Sequence, residues 1–136
     1  MREIKFRGKI KDKKSLLFNR WVYGYLFRFS GRYVISDNFD IGYGWTKDYC
    51  NVDENAVGQF TGLYDKNGTE IYEGDILNRY GFQTWYVAYE NGGFKSVSID
   101  CVQRINWNHL PLEKEFVEHW EIIGNIHDNP ELLKEQ

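Results

Sequence analysis

The stretch Thr61-Gly62-Leu63-Tyr64-Asp65-Lys66-Asn67-Gly68-Thr69-Glu70-Ile71-Tyr72-Glu73-Gly74-Asp75-Ile76-Leu77 leaves the chain few ways to fold. Asn67-Gly68 is a strong hairpin signal, because a type I′ turn needs positive φ at both central residues. Thr61, Leu63 and Tyr64 then lie on one arm, and Ile71 and Tyr72 on the other. Glu73-Gly74-Asp75 makes a second turn, and Ile76-Leu77 starts the next strand. The same logic recurs at Asn91-Gly92-Gly93, which predicts a hairpin between Gln83–Glu90 and Gly93–Asp100. With Asp75–Tyr80, these make three antiparallel strands, and Gly81 marks the turn between the first two.

The N-terminal half has the same character. Arg2–Ile10 alternates, with Ile4, Phe6, Gly8 and Ile10 on a buried face and Glu3, Lys5, Arg7 and Lys9 on a wet one. Lys11-Asp12-Lys13-Lys14-Ser15 reads as a polar loop. Trp21, Tyr23, Tyr25, Phe27 and Phe29 line one face of the next strand; Val22, Gly24 and Leu26 line the other. A strand apolar on both faces is either covered twice or covered once and used for contact. Gly31 turns the chain into Tyr33-Val34-Ile35. The segment 37–55 breaks its own periodicity at Asn38, Gly42 and Gly44 and reads as a loop with one short strand. Val57–Leu63 is the strand that leads into the central hairpin.

Towards the C-terminus, Asn106–Leu112 reads as a loop. Glu113–Trp120 has a competing helical reading, but Trp120–Ile126 fits better as a closing strand. Asp128 or Asn129 suits an N-cap and Pro130 the first helical position, so a short helix ends the chain. An aromatic share of 18%, with five Trp, ten Tyr and nine Phe, suits a pleated surface. The expected fold is all-β. It comprises one domain over 1–136: an N-terminal β-extension (1–56), a small SH3-like barrel (57–127) and the C-terminal helix (128–136).

Catalytic and metal chemistry finds little support. Asp65, Glu70, Glu73 and Asp75 lie close together, but counting from Asp65 puts Glu70 at the glycine position of a calcium loop and Ile76 at its glutamate. Turn chemistry explains them better, since Asp and Asn bond their own backbone. His109, His119 and His127 are spaced ten and eight apart, and neither Cys50 nor Cys101 stands at ligand spacing to them. Gly42-Tyr43-Gly44 lacks the third glycine of a dinucleotide fingerprint. The expectation is therefore no catalytic residue, no metal and no cofactor. Two cysteines do not make a disulfide framework, so reduced thiols in a cytoplasm are expected. No apolar run reaches membrane-spanning length, and no h-region follows the basic N-terminus, so no membrane role is expected.

The aromatic strand is the candidate interaction surface: Trp21, Tyr23, Tyr25 and Phe27, flanked by Arg20 and Arg28. These residues can fill the core, form a protein contact or stack unpaired bases. The net charge of −3, from 17 basic and 20 acidic residues, disfavours nucleic acid. Charge is uneven, basic over Met1–Lys14 and acidic over Glu113–Gln136, which can steer one copy onto another. A homo-oligomer follows as the expectation; the competing account is that the segment 37–55 covers the second face within the same chain through Phe39, Tyr43 and Trp45. Structural turns are assigned to Asn67, Gly68, Gly74, Asp75, Asn91 and Gly92.

Five segments together resemble the YopX family of phage and prophage proteins. They are Met1–Arg7, Gln59–Leu63, Asp65–Gly68 with Glu70–Ile76, Glu121–Ile126, and Asn129–Leu133. The resemblance thins between Gly8 and Val57 and between Asn78 and Trp120. It implies an all-β fold and a phage-encoded protein of a bacterial cytoplasm, with no family activity or catalytic residue to map. The expected role is a non-enzymatic module that binds itself and a host or phage protein; the alternative is a single-stranded nucleic-acid binder.

Overall fold

Alternating residues become strands along most of the chain. The computed structural model describes residues 3–36, 49–79, 81, 83–99 and 109–133. They divide into two compact units, Met1–Phe60 and Thr61–Gln136. In the first, β1 (Phe6–Ile10) pairs antiparallel with β2 (Trp21–Phe29) and with β4 (Tyr49–Tyr64); β3 (Arg32–Ser36) pairs with β2 and β4. These pairings close into a ring around buried Ile10, Val34, Ile35, Val52, Ala56 and Phe60. Gly8 sits inside it because a Cβ would lie 2.9 Å from Val52 Cβ and 3.0 Å from Ile35 Cδ1.

Strand β4 is far longer than the Val57–Leu63 expected from the sequence. Asp53-Glu54-Asn55 looks like a polar break, but it is a bulge: Gly8 pairs with Val57 while Ile10 pairs with Val52. Asp53 Oδ1 holds it by accepting from Asn55 N–H at 2.9 Å. The segment 37–48, with Phe39, Tyr43, Trp45 and the Gly42-Tyr43-Gly44 motif, lies outside the described residues, as does Cys101.

Strand β4 runs on into the second unit, where its last residues pair with β5 (Glu70–Tyr72). The other sheet has the order β10-β6-β7-β8-β9, built from β6 (Asp75–Arg79), β7 (Gln83–Glu90), β8 (Gly93–Ser98), β9 (His109–Pro111) and β10 (Glu121–Asn125). The expected three-strand meander is thus present, joined on one edge by the expected closing strand. On the other edge is β9, inside the Asn106–Leu112 stretch expected to be a loop: a three-residue strand is too short to show a period of two. The core of this unit is Ile71, Leu77, Trp85, Val87, Val117 and Trp120. The rings of Trp85 and Trp120 stack with centroids 5.6 Å apart.

The helices depart from expectation. Helix α1, Lys114–Val117, is the one α-helix among the described residues; it exists because Val117 is buried in the core. Among the described residues after Asn129 there is a 3-10 turn, Pro130–Leu133, in place of the expected α-helix. The Asn129 carboxamide that would cap a helix instead accepts from Asn125 N–H at 3.1 Å. Gly124 leaves room for it, since a Cβ there would collide with the Asn129 side chain.

The turns sort by type. Ser30–Gly31 (φ 51° and 76°) and Asn91–Gly92 (φ 51° and 81°) have positive φ at both central residues, as type I′ demands. The central hairpin does not. Gly68 has φ 78° but Asn67 stays out of the left-handed region. Gly68 N–H bonds Asp65 C=O at 3.0 Å, so the turn is Asp65-Lys66-Asn67-Gly68, with Asp first and Gly last as type I favours. The reason is Asp65, whose Oδ1 accepts from Asn67 N–H at 2.8 Å and from Thr69 N–H at 2.9 Å. That Asx-type turn fixes the intervening residues. No atom lies within 4 Å of a Cβ placed on Gly68, so a substitution there tests backbone strain alone. Gly68→Val is expected to cost about 1–3 kcal/mol in urea unfolding, because a β-branched residue resists positive φ. An unchanged unfolding midpoint would show that the turn relaxes freely.

Candidate interaction surface

On β2, odd-numbered side chains share one face and even-numbered ones the other. The odd face divides in a way the sequence could not specify. Tyr23, Tyr25 and Phe29 are 50%, 41% and 48% exposed, while Trp21 and Phe27 are half-buried. Arg20 and Arg28 are exposed at the two ends of the strand. The Arg28 guanidinium lies 5.6 Å from the Tyr33 ring, so its strand-pairing partner already engages it.

Trp21 is held by cations of the neighbouring strand. The expected wet face of β1 is not wet throughout: Arg7 is only 6% exposed. Its guanidinium lies 4.5 Å from the Trp21 ring centroid, and Lys9 Nζ lies 5.6 Å from the same ring. Lys5 Nζ lies 5.1 Å from the Phe60 ring. The register explains the arrangement, since Lys9 pairs with Trp21 and Arg7 with Tyr23. A guanidinium tolerates such a place because it is weakly hydrated and flat enough to stack.

One exposed feature escaped the sequence reading. The loop after β1 presents Leu16, Leu17 and Phe18 at 99%, 47% and 38% exposure. A run of three apolar residues beside four basic ones is the signal that could have exposed it; without periodicity it reads as filler. The loop is built rather than loose. Lys14 N–H bonds Asp12 Oδ1 at 2.9 Å, Leu17 N–H bonds Ser15 Oγ at 3.0 Å, and Phe18 N–H bonds Ser15 C=O at 3.1 Å.

Of the acidic cluster of the central hairpin, Asp65 and Asp75 bond backbone amides of their turns. Besides its two turn amides, Asp65 accepts from Ile122 N–H at 3.1 Å through Oδ2. Asp75 Oδ2 accepts from Tyr72 N–H at 2.8 Å. Gly74, at φ 94°, donates to Val87 C=O and accepts from Ile126 N–H, both at 2.8 Å. Cys50 is half-buried on β4 opposite Ile35, His119 sits 3.7 Å from Glu118, and His127 lies beside Gly74. The side chain of His109 lies outside the described residues. Among the described residues no three His, Cys, Asp or Glu side chains gather closely enough to hold a metal ion.

The family described as YopX protein matches residues 5–134, nearly the whole chain. This chain belongs to the YopX family. No curated protein matches it. Among solved structures, the crystal structure of protein EF1440 from Enterococcus faecalis is similar. It shares 25% sequence identity and a TM-score of 0.53, over 98% of this chain and 100% of that one. Three of the five segments that resemble YopX in sequence contain Asp65, Gly68, Gly74, Asp75, Gly124 and Asn129, which set the backbone there. In this YopX chain the cation–ring contacts are testable separately from the turns. Arg7→Met keeps length and loses charge, and is expected to lower stability by about 0.5–2 kcal/mol. Lys9→Met, at a less buried position, should cost less. Equal costs in urea titrations would remove the special role of Arg7.

Proposed function

We propose that this protein is a non-enzymatic binding module that works by self-association and by holding a protein partner. In this reading it is a phage- or prophage-encoded accessory protein of the bacterial cytoplasm, and residues 57–127 form an SH3-like closure. The observation that carries the reading is the row of exposed Tyr23, Tyr25 and Phe29 on β2. Tyr23 and Tyr25 are exposed at alternate positions of a paired strand, and Phe29 is exposed beyond half-buried Phe27. Patches of that kind mark interaction sites, and Tyr is among the residues that dominate contact energy.

A second reading, binding of single-stranded nucleic acid, draws on Lys5, Arg7 and Lys9 alongside Trp21 and Tyr23, a mixture of cations and rings that suits stacked bases. It ranks lower because the chain carries net charge −3 and because these cations already lie over the protein's own rings.

Light scattering on the purified protein tests the first reading. A mass above 16.2 kDa at micromolar concentration is expected. It should fall when Tyr23 is changed to Glu, with the circular dichroism spectrum unchanged. A mass of 16.2 kDa for the unmodified protein would overturn self-association. Anisotropy of a labelled single-stranded oligonucleotide at low salt tests the second, which is expected to show no saturable binding.

A further inference from the structure

The second unit contains a cavity that the β2 surface leaves unused. It measures about 220 Å³ and is lined by Trp85, Trp120, Val117, Phe116, Leu110 and Pro111, with Ser96, Arg79 and Glu113 as its polar members. Trp85, Val117 and Trp120 are buried, whereas Leu110 and Phe116 are 39% and 50% exposed, so the wall grades from core to surface. A cavity of about 150 Å³ lined by apolar side chains is large enough for benzene. This one therefore takes a single Leu or Phe side chain. The buried indole N–H of Trp85 has no hydrogen-bond partner. A purely apolar guest would leave it so, whereas a guest carried on a peptide loop also brings carbonyls.

The first unit offers the matching part. Leu16 is 99% exposed at the tip of a loop already fixed by its own hydrogen bonds, so seating it costs little ordering. Lys11, Lys13, Lys14 and Arg20 flank that tip, all exposed, against one acid, Asp12. Beside the cavity, Glu113, Glu115 and Glu118 are exposed against two bases, exposed Lys114 and half-buried Arg79, which lines the wall. The basic tip and the more acidic rim are thus of opposite charge, which suits a contact between them.

We propose that Leu16 of one copy seats in the Trp85–Trp120 cavity of the next. The contact rests on the self-association reading and adds a second interface to it, independent of β2. It joins two different patches, so it is heterologous and propagates into rings or chains rather than stopping at a dimer.

The test uses the full chain with Tyr23→Glu in place, which removes the β2 contact. That protein should still associate, with a mass that rises with concentration. Adding Leu16→Glu, which spoils the tip, or Phe116→Glu, which spoils the mouth of the cavity, should each give 16.2 kDa. Both positions are exposed, so neither change threatens the core, and circular dichroism checks the fold. An equimolar mixture of the two variants retains one intact tip and one intact cavity, and should run at about twice the single-chain mass. The proposal is overturned if the Tyr23→Glu chain is already a monomer, if Leu16→Glu leaves its mass unchanged, or if the mixture stays at the single-chain mass. The first outcome leaves β2 self-association standing, which separates the two readings.

Discussion

A single buried carboxylate connects the hairpin to the rest of its unit. Asp65 is 5% exposed, and an uncompensated charge in such a place would be very costly. Here it accepts three backbone N–H groups, from Asn67, Thr69 and Ile122. Hydrogen bonds to a charged group contribute roughly 1.5–3 kcal/mol each, about twice a neutral one. Two of them shape the turn and the third reaches 57 residues along the chain to β10. The neighbouring contacts repeat the link: Lys66 N–H bonds Trp120 C=O at 2.9 Å, and Lys66 Nζ lies 3.5 Å from Glu121. The last pair is half-exposed on both sides and adds little. The carboxylate and the backbone bond therefore place the start of β10, and with it Trp120 against Trp85.

The same device recurs wherever this small unit changes direction. Asp75 holds Tyr72 N–H, Asn125 Oδ1 accepts from His127 and Asp128 N–H, and Asn129 holds Asn125 N–H. Thr61 Oγ1 donates to Ile71 C=O at 2.8 Å and accepts from Leu63 N–H at 3.1 Å. Short strands bury few apolar side chains apiece, so their placement cannot come from packing alone. Side-chain oxygens that close on backbone amides supply the missing specificity. They also explain why glycine stands at Gly124, where the chain must pass close to Asn129; at Gly74 the positive φ of 94° is the reason.

This is why the turns of the sequence were more legible than its strand ends. Asn91-Gly92 leads to type I′ geometry because nothing competes with the local preference. Asn67-Gly68 carries the same dipeptide but sits two residues after an aspartate whose carboxylate claims the amides, so the hairpin appears with a different turn. Periodicity located β1, β2, β6, β7, β8 and β10. It failed at β9, which is too short, and at β4, where a bulge resembles a break. Helix α1 is decided by one buried side chain, Val117, which no four-residue window reveals. The resemblance to the YopX family was readable in short segments, several of which contain these backbone-setting residues.

The aromatic strand shows where sequence reasoning stops. Composition gives rings but not their exposure, and β2 divides them: Trp21 under Arg7 and Lys9, Phe27 partly inside, Tyr23, Tyr25 and Phe29 outside. What decides the division is the register with β1, because it sets a guanidinium beside Trp21. A shift of one residue would move every ring of β2 to the opposite face. Arg7 opposes such a shift in particular: it would separate a buried cation from the ring it covers, whereas an aliphatic contact could be remade with another neighbour. The buried cation and its ring therefore keep Tyr23 and Tyr25 on the surface, and the interaction face depends on a contact just behind it.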